Sequence, residues 1–409
     1  RTLFAVKIAG QFIPKVTEFS PAASVVPGHN SAAAIDGILF ECPGEEPGTC
    51  RVSAYDMEKG VRTTIPATIM DEGKFILNTQ KIQQIVRSLP DGDIEITIDQ
   101  NMTAHISSGQ SSFEISAVPG EDFPGLPLLS GDRNYTFTGK SLRQTLSKAI
   151  ICAAQNDTRP ALNGVFFKIE GGIMTVVGCD GSRMAVCEKE LPEGAPDAKM
   201  IVPARMLSEI LKVVRDSEDE ADCVTVSIAR KHVIFTVDGI LYFTRLIDTE
   251  YMDYMRSLPT EHTCEVFANA AEIRAALERA SIITEDKLGG NSKTYVRFDI
   301  EDNVIKISSV STGGSIYEEI PAAKTGDDIT IAFTCRYLLD ALRSCPEAYT
   351  LRMRFGSSMT GVRIEEARGS GIAEYSGTGA VPDGFDRPDS DGDERQRFLY
   401  YIMPRRMTN

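Results

Sequence analysis

The sequence predicts an α+β protein made of three repeats of one unit, each with two helices and roughly eight short antiparallel strands. Three observations carry that prediction. At 409 residues the chain exceeds the ~250 to 300 residues that one hydrophobic core usually serves, and domains of about 100 to 150 residues make three the natural number. The chain also matches itself at long period, which fixes an architecture before any single element is assigned. Finally, the repeats open with apolar residues at three- and four-residue spacings, the pattern of a half-buried helix.

The clearest repeated segment is an apolar strand running into a helix. It occurs as Ile76-Leu77-Asn78-Thr79-Gln80-Lys81-Ile82-Gln83-Gln84-Ile85, as Ile201-Val202-Pro203-Ala204-Arg205-Met206-Leu207-Ser208-Glu209-Ile210 and as Ile331-Ala332-Phe333-Thr334-Cys335-Arg336-Tyr337-Leu338-Leu339-Asp340, at offsets of 125 and 130 residues. A second echo pairs Ile35-Asp36-Gly37-Ile38-Leu39-Phe40 with Leu162-Asn163-Gly164-Val165-Phe166-Phe167 and, more weakly, with Tyr295-Val296-Arg297-Phe298. Short alternating runs follow, such as Val224 to Ile228 and Val233 to Val237, and read as hairpins. The opening helix of the second unit places Leu142, Leu146, Ala149, Ile150 and Ala153 on one face after Ser141. That of the third does the same with Ile273, Ala276, Leu277, Ala280 and Ile283 after Asn269. In the first, Phe4 to Phe19, Pro14 interrupts the pattern, so that helix should start late or kink. The six helical windows are therefore 4–20, 78–89, 140–154, 203–215, 269–283 and 334–344, and the units are 1–131, 132–260 and 261–409. An insertion at about 367–397, rich in Gly, Ser, Pro and Asp, cannot bury a core and is expected to be a mobile surface loop.

Charge is distributed unevenly. The net charge of −15 argues against nucleic acid at first sight, yet the six helical windows together carry +9 and the remaining residues −24. If the helices share one surface, that surface attracts phosphates without reading sequence while the acidic remainder repels them. Helices that merely favour Lys and Arg would give the same count. No run approaches the ~18 apolar residues of a membrane span, so a cytoplasmic protein without membrane contact is expected. The start at Arg1 rather than Met reads as processed or trimmed. Nine cysteines, with no Cys-x-x-Cys pair, suggest neither a disulfide framework nor a zinc knuckle.

Motifs for chemistry fail one by one. Gly139-Lys140-Ser141 has the tail of a phosphate-binding loop, but Asn134 stands where the first Gly is needed. Around Ser358, Thr360 replaces the closing Gly of a nucleophile elbow. A calcium loop at Asp389-Ser390-Asp391-Gly392 would need Arg387 and Phe398 as ligands. His29, His105, His232 and His262 lie far apart, and Glu45-Glu46 and Glu218-Asp219-Glu220 sit in polar runs. The sequence thus offers no catalytic residue, no metal site and no cofactor site, and an enzyme is not expected.

The stretch Gly178-Cys179-Asp180-Gly181-Ser182-Arg183-Met184-Ala185-Val186-Cys187 resembles the Asp-Gly-x-Arg turn of the bacterial DNA polymerase III beta subunit, the DNA sliding clamp family. Arg159-Pro160-Ala161-Leu162-Asn163-Gly164 upstream strengthens the resemblance. So do Met252-Asp253-Tyr254, Arg256 and Leu258-Pro259 downstream, and the terminal Tyr401-Ile402-Met403-Pro404-Arg405-Arg406-Met407. With the threefold repeat it covers the chain outside the insertion. The resemblance implies the clamp fold, two helices of each domain on one face of antiparallel sheets, and a head-to-tail homodimeric ring around double-stranded DNA. It also implies a non-catalytic processivity factor that binds the DNA polymerase III catalytic subunit, the clamp loader and other proteins carrying a clamp-binding motif. A partner-peptide groove would be lined by Leu162, Cys179, Gly181, Ser182, Arg183, Met184, Met252, Arg256, Met359, Ile402, Met403, Pro404, Arg405 and Met407, mostly apolar or flexible thioether side chains suited to several partners. Residues facing DNA would be His29, Arg143, Lys148, Asn156, Arg159, Arg205, Lys212, Arg215, Arg274, Arg279 and Arg336. Ser182 replaces the family's common His, Met252 its frequent Pro, and His29 and Asn156 its frequent Arg and Gln. A repeat-based peptide-binding scaffold unrelated to DNA, or a hydrolase in an unfamiliar repeat fold, would be the competing readings.

Overall fold

The computed structural model describes residues 2–9, 36–43, 48–284, 294–345, 350–367 and 396–407. Strands dominate and helices are few. Two compact units result, Arg1–Lys140 with Lys212–Leu246, and Ser141–Leu211 with Ile247–Asn409.

The first unit carries a twelve-stranded antiparallel sheet. Its strand Asp93–Asp99 alternates strictly, burying Ile94, Ile96 and Ile98, the period-2 pattern of a sheet with one face on a core. Thr2–Ala9 pairs with it, setting Phe4, Val6 and Ile8 opposite Ile98, Ile96 and Ile94. Residues 4–9 of the helical window 4–20 are therefore strand rather than helix. Phe4 and Ile8, four apart, satisfy both a helical and a strand period, and the strand wins because Ile94, Ile96 and Ile98 offer an apolar ladder to pair with. The rest of that window lies outside the described residues. Strand Lys59–Asp71 is long enough to serve three neighbours, pairing with Thr49–Tyr55, with Leu241–Thr244 near its start and with Ala5–Ile8 near its end. Asp238 and Gly239, with φ of 50° and 75°, close a two-residue hairpin between His232–Val237 and Ile240–Arg245, as a type I′ turn requires.

The second unit holds a nine-stranded and a four-stranded sheet. The final strand, Gln396–Ile402, lies between Arg183–Glu190 and Val362–Glu366. It starts inside the expected insertion, of which 368–395 lies outside the described residues. Strands Thr350–Phe355 and Val362–Glu366 are buried throughout, and Arg354 bonds Glu265 at 2.8 Å while Arg363 bonds Glu365 at 2.7 Å. Burial still raises the Glu365 carboxyl above its ordinary range.

The remaining helical windows form as helices Thr79–Ser88, Gly139–Ile150, Ala204–Val213, Ala270–Thr284 and Cys335–Arg343. Asn78 caps the first by accepting from the Lys81 N–H, and Asn269 caps the fourth by accepting from Ala271 and Glu272. Such caps satisfy amides that no helical carbonyl reaches, worth about 1 kcal/mol each.

Candidate partner-binding site

Strands Ile173–Cys179 and Arg183–Glu190 set Cys179 opposite Met184, and Asp180-Gly181-Ser182 turns the chain between them. One Asp180 carboxylate oxygen accepts from the Ser182 and Arg183 N–H groups at 2.9 and 3.0 Å, the self-bonding that makes Asp a turn former. Gly181 has φ +88°, and a Cβ there would lie 3.0 Å from the Arg159 guanidinium. Arg183 donates from Nε to Asp180 at 3.0 Å and from Nη1 to Asp340 at 2.7 Å. Its guanidinium lies 4.4 Å above the Tyr337 ring centroid.

Beside the turn lies an apolar cluster containing Leu162, Cys179, Met184, Leu258 and Tyr401, with Tyr251, Met252, Tyr254 and Met255 packed against it. Leu162 comes from the short turn Pro160–Asn163, whose Pro is pre-set for a helical start, and its carbonyl accepts from the Ala154 N–H at 2.8 Å. The Tyr251 ring stacks on Phe166 at 4.9 Å, and burial pushes its phenol well up from its ordinary pKa. Ile402 sits opposite both Arg183 and Val362. Past it, the Met403 N–H donates to Ser182 O at 2.9 Å and the Arg405 N–H to Ala332 O at 2.7 Å. The Gly361 N–H donates to the Tyr401 hydroxyl at 3.0 Å, which ties the Met359 loop to the same strand. Met359, Met403 and Met407 remain 63%, 41% and 38% exposed, so three thioethers are open to solvent, Met403 being the one whose backbone is bonded to the turn. Pro404 is half-buried, and Arg256, exposed, reaches Asp253 at 3.4 Å.

The structure thus brings together Leu162, Cys179, Gly181, Ser182, Arg183, Met184, Met252, Ile402 and Met403 from distant parts of the chain. It adds Leu258 and Tyr401, which the sequence motifs contain but which were not expected to line the groove, and Tyr251, Tyr337 and Asp340, which belong to none of those motifs. Tyr251 adjoins the motif residue Met252 and could have been found; Asp340, 157 residues from Arg183, gives no such signal.

The cations expected to face DNA do not share one environment. Lys148 does not face solvent. It is 6% exposed, donates to its own helix at Gln144 O, 3.1 Å, and lies 5.8 Å from the Phe398 ring centroid. It belongs to the buried side of its helix with Leu142, Thr145, Leu146 and Ala149, and counting charge alone cannot see that. Arg143 donates to Leu211 O, Arg159 pairs with Asp157 at 2.9 Å, Arg215 with Asp222 at 2.6 Å and Arg279 with Glu318 at 2.5 Å. The hydrogen bonds from Arg159 hold the Asp157 carboxyl down at about 2. Arg205, Lys212 and Arg336 are exposed, Arg205 donating to the neutral Asn156 side chain at 2.7 Å; Arg274 is half-buried. His29 lies outside the described residues. Among the described residues no group of three His, Cys, Asp or Glu side chains is placed to hold a metal ion, and no helix is long and apolar enough to cross a membrane.

Three family models match in succession: DNA polymerase III beta subunit N-terminal domain over residues 14–127, central domain over 136–253 and C-terminal domain over 255–375. The beta sliding clamp of Staphylococcus aureus is 25% identical over 339 residues, covering 80% of this chain and 87% of its own. The Bacillus subtilis DNA polymerase sliding clamp superposes with a TM-score of 0.83 at 22% identity, covering 99% of this chain and 100% of its own. A Pseudomonas aeruginosa sliding clamp solved bound to griselimycin gives 0.78 at 22%, again covering 99% and 100%.

Proposed function

Since the chain belongs to the DNA polymerase III beta subunit family, we propose that it works as a DNA sliding clamp, a non-catalytic processivity factor that encircles duplex DNA and tethers replication proteins to it. The observation that carries this is the run of three successive family domains across the chain, which a peptide-binding scaffold unrelated to DNA would not require. The clamp is divided into domains at 1–131, 132–260 and 261–409. Its partners are duplex DNA of any sequence, the polymerase III catalytic subunit, the clamp loader and other proteins with a short hydrophobic clamp-binding motif.

The groove for that motif is the cluster around Leu162 and Met184, rimmed by Met359, Met403 and Met407. Exposed thioethers can repack around different peptides, and the apolar floor accepts one or two Leu or Phe anchors that carry most of the binding energy. The griselimycin-bound Pseudomonas aeruginosa clamp supports a ligand site on this fold.

Two copies join head to tail. Residues 111–116 of Ser111–Pro119 have a strand partner on one side only, and Gly314–Pro321 is one of the two edges of the four-stranded sheet, among the described residues. Exposed edges left open invite unwanted pairing, and closing a ring removes them. Ile282, Val310 and Tyr317, all largely exposed, supply apolar area at the second edge. DNA is held by Arg205, Lys212 and Arg336 through phosphates, which carry no base information.

The test is retention on nicked circular DNA after a clamp loader and ATP are supplied. Retention that ends when the circle is linearised is the expected result. Loss from intact circles at the same rate as from linear DNA would refute encirclement.

A further inference from the structure

The Asp180–Arg183 turn takes its position from a helix far along the chain. Tyr337 and Asp340, three residues apart on Cys335–Arg343, lie on one helical face. Together they form a cradle for a guanidinium, an aromatic face below and a carboxylate at the edge. Arg183 occupies it, bonding Asp340 at 2.7 Å and stacking 4.4 Å above Tyr337, while its Nε holds Asp180 at 3.0 Å. With only 12% of its side chain exposed, Arg183 has little left to offer an incoming peptide. The helix is a firm base, since Leu338, Leu339, Ala341 and Leu342 are buried. From the turn the linkage continues to the chain end, where Ser182 O accepts from the Met403 N–H at 2.9 Å.

We infer that Asp340 is a positioning residue for the peptide groove: by holding Arg183 it fixes the Asp180–Arg183 turn and, through Ser182, the segment at Met403 that rims the groove. Arg183 acts in the same way rather than as a direct peptide contact. The inference rests on the groove proposed above. A charge-assisted bond between a planar guanidinium and a carboxylate is directional as well as strong, so it selects one turn geometry. Asp340 is also within 3.9 Å of Arg336, but that side chain is exposed and can leave without disturbing the cradle.

The probe is a short synthetic peptide with Leu and Phe anchors, titrated against the full-length protein. Asp340→Asn keeps the shape of the side chain and removes its charge. It should weaken the peptide roughly tenfold, a coupling of the usual allosteric size, and raise amide exchange in the segment containing Met403 while that of the Cys335–Arg343 helix stays unchanged. Asp340→Glu should recover part of the affinity. Arg183→Met should weaken binding similarly, and Asp340→Asn added to Arg183→Met should cost nothing more, because both changes break one linkage. Additive losses, or an Asp340→Asn variant that binds and exchanges like the parent, would overturn the inference. A parent that does not bind the peptide removes the groove itself and this inference with it.

Discussion

Lys148 separates a buried cation from a DNA-facing one, and two substitutions tell them apart. Its ammonium donates to Gln144 O at 3.1 Å and sits 5.8 Å from the Phe398 ring centroid, with 6% of the residue exposed. Lys148→Glu would place a carboxylate, which cannot donate, against a carbonyl and the negative face of a ring. An uncompensated charge of that kind costs about 3 to 5 kcal/mol. In a unit of this size 1 kcal/mol moves Tm by about 2 to 4 °C, so the variant should melt ~6 to 20 °C lower. Lys148→Met keeps the apolar stem, loses one charged hydrogen bond of about 1.5 to 3 kcal/mol, and no longer buries an ion, so the net change should be within ~1 kcal/mol. Melting followed by circular dichroism, together with DNA retention at low salt, decides the matter. A Lys148→Glu protein melting within 2 °C of the parent on the scale just worked, or a Lys148→Met protein that loses DNA as Arg205→Glu does, would refute the buried assignment.

Reversing the exposed cations Arg205, Lys212 and Arg336 to Glu should leave melting almost unchanged and lower the salt dependence of DNA binding by about 0.9 per lost phosphate contact; an unchanged slope contradicts their assignment to DNA. Met359→Asp, at an exposed position, should weaken an anchored peptide by about 2 kcal/mol, roughly thirtyfold, without lowering Tm, and unaltered affinity by calorimetry would remove Met359 from the groove. Ile282→Asp with Tyr317→Asp should give monomers by sedimentation at micromolar concentration, and a persisting dimer would place the interface elsewhere. The Asp157 carboxyl, held at about 2 by Arg159, is depressed relative to the ~3.9 of an unfolded chain. Its contribution is therefore full above that range and lost as pH falls toward 2. Carbon-13 titration should show this, with Arg159→Met restoring an ordinary value; a parent Asp157 that already titrates ordinarily denies the pairing.

What the sequence makes legible depends on how local the physics is. Helices Thr79–Ser88 and Ala270–Thr284 are readable because cap and periodicity agree: Asn78 and Asn269 stand where orphan amides need an acceptor, and the apolar residues recur on one face. Thr2–Ala9 is not, because Phe4 and Ile8 fit two periods at once, and the residues that decide between them, Ile94 to Ile98, come almost ninety positions later. Lys148 fails for a related reason, since a count of charges assumes each cation reaches water. The proposed groove is partly legible: Leu162, Gly181 and Met184 belong to short motifs, whereas Asp340 belongs to no motif and reads as one more carboxylate of an acidic chain until folding brings it to Arg183. Asp180 to Arg183 form a turn by themselves; where that turn points is decided by Cys335–Arg343. A local motif can therefore point to a candidate binding surface in this chain, while the shape of that surface belongs to contacts that span the second unit. If the groove proposed above takes a peptide, its affinity should depend on Asp340, a residue the peptide does not touch.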